Sequence, residues 1–161
     1  MAALLPLLLL AAAPSAHAGG RGADHSDRGR HGCDVDGLLD DYLALFNERM
    51  SDWTSVIDPG YVVESPYGTF DLAGWQGLTG AAWTALPDIS WSIVRVVEED
   101  DRVALEYAFT GTFENDFLGH VAQGQAVAGR GMEMHELDRS ACRITRTWNY
   151  SDAYGFFAQL Q

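Results

Sequence analysis

Three side chains near the carboxyl end of this chain are of the types that move protons. The stretch GMEMHEL, residues 131–137, carries Glu133 and His135. The stretch ITRTWNYSDAYGFF, residues 144–157, carries Asp152 among aromatic residues. A carboxylate in water, with a pKa of about 4, is a feeble base. Desolvation by neighbouring Trp and Phe raises that pKa and makes a base able to take a proton from carbon next to a carbonyl. Read locally, Asp152 stands where a strand gives way to a helix, and such an Asp is more often an N-cap than a base. His135 alone reads as an ordinary strand histidine, and Glu133 with Arg146 reads equally as a cross-strand ion pair.

Other chemistries find no residues to carry them. The sequence has no GxSxG, HExxH, CxxC, Walker A or GxGxxG motif, and His135-Glu136 does not continue into a zinc motif. No metal and no organic cofactor is expected. The chain contains no Lys, which excludes a Schiff base and a P-loop lysine. Residues 33–161 hold 21 Asp and Glu against 7 Arg, a net charge near −14. That disfavours nucleic acid and anionic lipid as partners, since both bind through basic patches. Asn149-Tyr150-Ser151 matches a glycosylation sequon but lies in the middle of a predicted strand.

The elements that must position these groups can be read from periodicity. Val35, Leu38, Leu39, Tyr42, Leu43 and Phe46 recur at spacings of three and four after Asp34 and Asp36, which predicts an amphipathic helix over about 35–49. SDWTSVI reads as a short helical piece stopped by Asp58-Pro59-Gly60, and YVVES as a short strand ended by the turn at Pro66. DLAGWQGLTGAAWTALP reads as a second helix capped by Asp71, rich enough in Gly that packing must hold it. From Ile89 on, the pattern switches to period two and gives four long strands, near 89–97, 103–113, 125–137 and 143–152. Helices followed by antiparallel strands predict an α+β fold, with the helices on one face of a curved sheet. The concavity of such a sheet is a ready small-molecule pocket. On an extended strand Arg146, Trp148, Tyr150 and Asp152 share a face, and so do Gly131, Glu133, His135 and Leu137 on the strand before it. Placing both sets on the concave face brings His135 and Asp152 into one pocket beside Trp148.

The amino end is separate in character. MAALLPLLLLAAAPSAHA, residues 1–18, has an apolar core, Pro14 and a small-x-small end, the shape of a secretory signal peptide without a basic residue before the apolar run. Export to the periplasm or medium is expected, or a cytoplasmic location where that segment does not act as a signal. No membrane span is expected once it is removed. Residues 19–32, GGRGADHSDRGRHG, read as a flexible leader, and one folded domain follows over 33–161. Cys33 and Cys142 are the only cysteines and form a candidate disulfide in an exported protein.

In its order of elements the domain resembles the SnoaL-like polyketide (ester) cyclases of the NTF2-like (cystatin-like) superfamily. Four segments carry the resemblance: ALPDISWSIVRVVEEDDRVALEYAFTGTF at 85–113, FLGHVAQGQAV at 117–127, GMEMHEL at 131–137 and ITRTWNYSDAYGFFAQL at 144–160. The resemblance implies a cone of helices packed on a curved antiparallel sheet, a hydrophobic small-molecule substrate or ligand, and a homodimer formed through the sheet. It implies Asp152 as the acid/base carboxylate and His135 as the polarising donor. Trp148, Tyr107, Phe109, Trp83, Glu133 and Arg146 are expected around them. Departures fall at Phe113, where relatives often have His, and at Ala122-Gln123-Gly124, where they have Pro-Thr-Gly. The last hairpin, LDRSACR, is about two residues longer than the usual turn. The expected activity is cofactor-independent cyclisation of the aldol type, or isomerisation. The rival expectation is a non-catalytic ligand-binding or dimerisation module on the same fold.

Overall fold

The computed structural model describes residues 32–161; the expected signal segment and all but the last residue of the expected leader lie outside the described residues. The first helix, α1, spans Val35–Asn47. It begins where the Asp34 carboxylate accepts the Gly37 N–H at 3.2 Å, filling one of the orphan donors of the first turn. Its apolar stripe, Val35, Leu38, Leu39, Tyr42, Leu45 and Phe46, is buried against the sheet. Two strands follow, β1 (Ile57–Ser65) and β2 (Gly68–Asp71), then α2 (Leu72–Ala85), capped by Asp71 on the Gly74 N–H at 2.8 Å. Strands β3 (Ser90–Glu99), β4 (Arg102–Phe113), β5 (Gln125–Asp138) and β6 (Arg143–Ser151) come next, and α3 (Ala153–Ala158) closes the chain. One sheet has the order β2-β1-β6-β5-β4-β3, with β1 parallel to β6 and the other neighbours antiparallel. Three helices on one curved mixed sheet make the expected NTF2-like α+β cone.

Two local expectations fail for identifiable reasons. The stretch at 51–57 is a single turn rather than a helix: the N–H groups of Val56 and Ile57 both reach the Trp53 carbonyl. Asp58-Pro59-Gly60 does not stop the chain but lies inside β1. The pairing of β1 with β6 shifts register between Ile57 and Val62, so Pro59 sits where no ladder hydrogen bond is required of it.

Two apolar clusters fill the interior. One, centred on Leu45, Trp53, Ile57, Val63, Val103 and Ile144, lies beneath α1. The other, with Leu86, Phe113, Phe117, Val127, Phe156 and Leu160, lies toward α3. A disulfide joins Cys33, just ahead of α1, to Cys142 in the β5–β6 hairpin, across a sequence separation of 109. Closing so long a loop restricts the unfolded chain by about 4–5 kcal/mol in the chain-entropy account. No described helix is long and apolar enough to cross a membrane.

Candidate functional site

Strands β5 and β6 place the polar groups. Their register sets Glu133 opposite Asn149 and His135 opposite Thr147, so these four side chains share the concave face. All four are buried, with His135 and Thr147 at 0% exposure. The expectation that Trp148 and Arg146 share this face is corrected here. Register shifts between Glu136 and Leu137, which inserts Thr145 as an extra residue on β6. Its hydroxyl donates to the Glu136 carbonyl at 3.1 Å. A bulge of one residue reverses the alternation beyond it. Ile144 therefore points in despite its even position, whereas the unbroken pairing beyond the bulge turns Thr147 and Asn149 in and Arg146 and Trp148 out. On the outer face the Arg146 guanidinium lies over the Trp148 ring at 5.4 Å and pairs with Glu64 at 3.3 Å rather than with Glu133.

Between α1, α2 and the concave face lies a cavity of about 130 Å³. By the same kind of measure a dry cavity of about 150 Å³ holds benzene, so one ring can be enclosed here, and the open mouth leaves room for a second ring fused to it. Its walls are aromatic and aliphatic, with Phe46, Trp75, Leu78, Trp91 and Phe109 prominent. Tyr107, Phe109 and Glu133, expected at the pocket, line it; Trp83 packs in the core between the two clusters instead.

The polar end of the cavity is built around Glu133. Its Oε2 accepts the Tyr42 hydroxyl at 3.0 Å, and its Oε1 accepts the Asn149 side-chain N–H at 2.8 Å. Asn149 also donates to the Tyr107 hydroxyl oxygen at 3.2 Å. Burial pushes the Glu133 carboxyl above the usual carboxylate range, against the pull of Asn149 and Tyr42. The same burial, reinforced by Glu133, pushes the Tyr42, Tyr61 and Tyr107 phenols up. Two glycines make the arrangement possible. A Cβ at Gly131 would stand 2.4 Å from the Tyr107 hydroxyl, and one at Gly129 would stand 2.3 Å from the Phe109 ring. Each aromatic lies flat across the glycine opposite it on β5.

His135 sits behind this site, outside the cavity lining. Its Nδ1 is 2.8 Å from the Thr147 hydroxyl, and its Nε2 is 3.5 Å from Glu133 Oε2. Burial drops its pKa to about 3, so the ring is neutral at physiological pH. Asp152 occupies the rim. It is exposed, and its carboxylate caps α3 through the Gly155 N–H at 2.8 Å. Glycine lets the carboxylate sit this close, because a Cβ at Gly155 would displace it. The backbone N–H of Asp152 reaches the Arg130 carbonyl at 3.2 Å, which pins the rim to β5. The structure thus brings Glu133 together with His135 and leaves Asp152 at the mouth.

Sequence reasoning passed over Asn149 and Ser151 as site residues and left Tyr42 between core and cavity wall. Asn149 appeared only as a sequon residue; buried and doubly bonded, it supports the carboxyl. The available signal was the polar run Thr147, Asn149 and Ser151 on alternate positions, which marks one face of β6 as distinct. Among the described residues no cluster of potential metal ligands occurs.

Comparison with known proteins agrees with this architecture. Residues 37–160 match the family model described as SnoaL-like polyketide cyclase. Among solved structures, AclR from Streptomyces galilaeus, provisionally a hydroxylase, superposes with a TM-score of 0.68 at 23% identity over 78% of this chain and 83% of that one. TsrD from Streptomyces laurentii gives 0.69 at 20% identity, covering 78% and 93%. A SnoaL-like polyketide cyclase from Agrobacterium tumefaciens gives 0.63 at 20%, covering 79% and 98%. At these identities the structural likeness establishes the fold alone. No curated protein matches the chain significantly.

Proposed function

Because the chain belongs to the SnoaL-like polyketide cyclase family, a group of cyclase- and isomerase-type small-molecule domains, we propose that its cavity performs acid/base chemistry at carbon with Glu133 as the proton-transferring group. The observation that supports this reading is a lone carboxyl at the inner end of an apolar cavity, held by Tyr42 and Asn149. An ionised Glu133 takes a proton from carbon next to a carbonyl, and the bonding electrons move to the carbonyl oxygen. In an isomerisation the carboxylic acid returns that proton at another carbon. In an aldol-type cyclisation the enolate carbon attacks a second carbonyl, whose oxygen then takes the proton back. Either way Glu133 is restored and no cofactor is consumed. His135 positions Glu133 from behind as a neutral ring.

The test needs no natural substrate. The protein should speed deuterium uptake at the α-carbon of 1-tetralone, a bicyclic ketone, in heavy water. Glu133→Gln should lower that rate on the order of 10³-fold. Only the ionised carboxyl is a base, so the wild-type rate should rise with pH through a midpoint above the ordinary carboxylate value. Unchanged exchange in Glu133→Gln would defeat the assignment. A second reading, with Asp152 as the base and His135 as its helper, is favoured by the place of Asp152 on the rim of the same cavity. It predicts the loss in Asp152→Asn instead. Binding without exchange in the wild type would leave the non-catalytic module.

The proposal extends to setting. The apolar pattern of residues 1–18 supports export. The exposed Met132 and Tyr150 on the outer sheet face support pairing of two copies there.

A further inference from the structure

The hydroxyl of Tyr107 stands out by its hydrogen bonding. Its oxygen accepts from Asn149 at 3.2 Å, and the same Asn149 nitrogen donates its other proton to Glu133. The direction of the Asn149 amide is fixed, because its oxygen accepts the Ser151 N–H at 3.2 Å. With one lone pair of the phenol thus engaged, its own O–H makes no hydrogen bond of normal geometry among the described residues, the Ser151 hydroxyl being its neighbour, and it lies in the cavity lining. Ser151, also in the lining, has its hydroxyl oxygen buried without a hydrogen-bond partner. A buried hydroxyl left without a partner is costly, and a ligand oxygen would satisfy it.

We propose that Tyr107 is a catalytic residue that donates its hydroxyl proton as a hydrogen bond to the oxygen of an uncharged carbonyl or enol group, in a subsite completed by Ser151. The inference rests on Glu133 acting as the base, since Asn149 bridges the two groups and sets them side by side. A base and an oxygen donor sharing one amide are what abstraction of a proton next to a carbonyl needs: one takes the proton while the other meets the charge that develops on oxygen. Gly131 is part of the device, because any larger residue would displace the phenol. Arg130 also lines the cavity, but its side chain is exposed and lies toward Glu106, so among the described residues no Arg pairs with Glu133 at this end and a carboxylate or phosphate ligand would face that carboxyl unpaired. The group bound there is therefore neutral.

Equilibrium dialysis with 2-naphthol and naphthalene separates the hydrogen bond from the apolar contact. The wild type should bind 2-naphthol up to about tenfold more tightly than naphthalene, the size of one net hydrogen bond. Tyr107→Phe should keep its affinity for naphthalene and lose the preference. Gly131→Ala, which shifts the phenol without removing it, should also lose the preference and serves where Tyr107→Phe does not fold. In the 1-tetralone exchange, Tyr107→Phe should fall on the order of 10²-fold with ketone affinity little changed. A preference that survives both substitutions, or binding of neither compound by the wild type, overturns the proposal. A preference lost in Tyr107→Phe with no exchange in the wild type supports the subsite while removing Glu133 as a base.

Discussion

The two faces of the β5–β6 pair reverse the usual distribution of polar and apolar side chains. On the concave face Glu133, His135, Thr147 and Asn149 are buried. On the convex face of the same strands Met132 is 55% exposed and Tyr150 63% exposed, with Trp148 and Met134 half-buried beside them. Elsewhere in the sheet the ordinary rule holds: Val103 and Leu105 of β4 point inward and are buried, while Arg102 and Glu106 pair with charges on β5 outside. The contrast teaches that these two strands are not arranged for core burial alone. Burying a carboxyl and an imidazole costs stability unless each is bonded; here Glu133 has two partners, while His135 has Thr147 at Nδ1 and none at Nε2. Such an expense is characteristic of sites where chemistry occurs.

The largest effect expected from the inner face appears in acid. Folded His135 stays neutral down to about pH 3, whereas unfolded it takes a proton near 6.5. Its contribution is therefore whole above pH 6.5 and lost as pH falls from there toward 3, at about 1.4 kcal/mol per pH unit. Glu133 acts in the opposite sense. Its folded pKa is raised, so its contribution is whole below the unfolded value and lost as pH rises through the folded one. In the wild type the two slopes oppose each other wherever both groups titrate. Glu133→Gln should expose the His135 slope, steepening the loss of stability in urea unfolding between about pH 6.5 and pH 4.5. Equal slopes in the two proteins would show that the pair does not act as described.

A smaller effect compares neighbouring positions on opposite faces of β6. Thr147→Val keeps the shape but leaves His135 Nδ1 without its 2.8 Å partner. The expected loss is about 1–3 kcal/mol, the cost of a buried polar atom left unpaired. Tyr150→Thr, on the outer face, should change the stability of the monomer by no more than about 0.5 kcal/mol. Comparable losses at both positions would erase the distinction between the faces.

The same inversion explains how much of the molecule could be read from sequence. The helices α1 and α2 were legible because their caps, Asp34 and Asp71, and their apolar spacing agree with their packing. Strands β3 to β6 were legible from period two. Strand β2 has only four residues and was not read; of β1 only the second half, YVVES, was read, because Pro59 sits in the first half. At the site, Glu133 and His135 were placed on one face correctly by alternation. On β6, Arg146, Trp148 and Tyr150 do share a face, but it is the convex one, because the register sets Thr147 and Asn149 opposite His135 and Glu133. The aromatic residues on the even positions reinforced the error, since aromatics ordinarily mark an interior face. Asp152 as a helix cap was the local reading, and the structure has it in that geometry at the cavity mouth.

The smallest intramolecular effect belongs to the convex face, and it carries the sharpest consequence for assembly. Met132 and Tyr150 are direct cross-strand neighbours in the β5–β6 register, and Trp148 lies opposite Met134. Together they make an apolar strip at the centre of the sheet, with Arg146–Glu64 and Arg102–Glu136 ion pairs toward its margin. Isolated exposed apolar residues need no explanation, but a contiguous strip rimmed by charge is the pattern of a protein contact. The pairing of two copies proposed above would have this strip at its centre. Met132→Glu adds a charge to the centre of that strip and touches nothing on the concave side. It should leave the pH-dependence of unfolding and the 2-naphthol preference unchanged, while shifting sedimentation of the purified protein from dimer to monomer. A wild type that sediments as a monomer would assign the strip to some other contact, and a loss of the preference in Met132→Glu would show that the two faces are coupled through the strands they share.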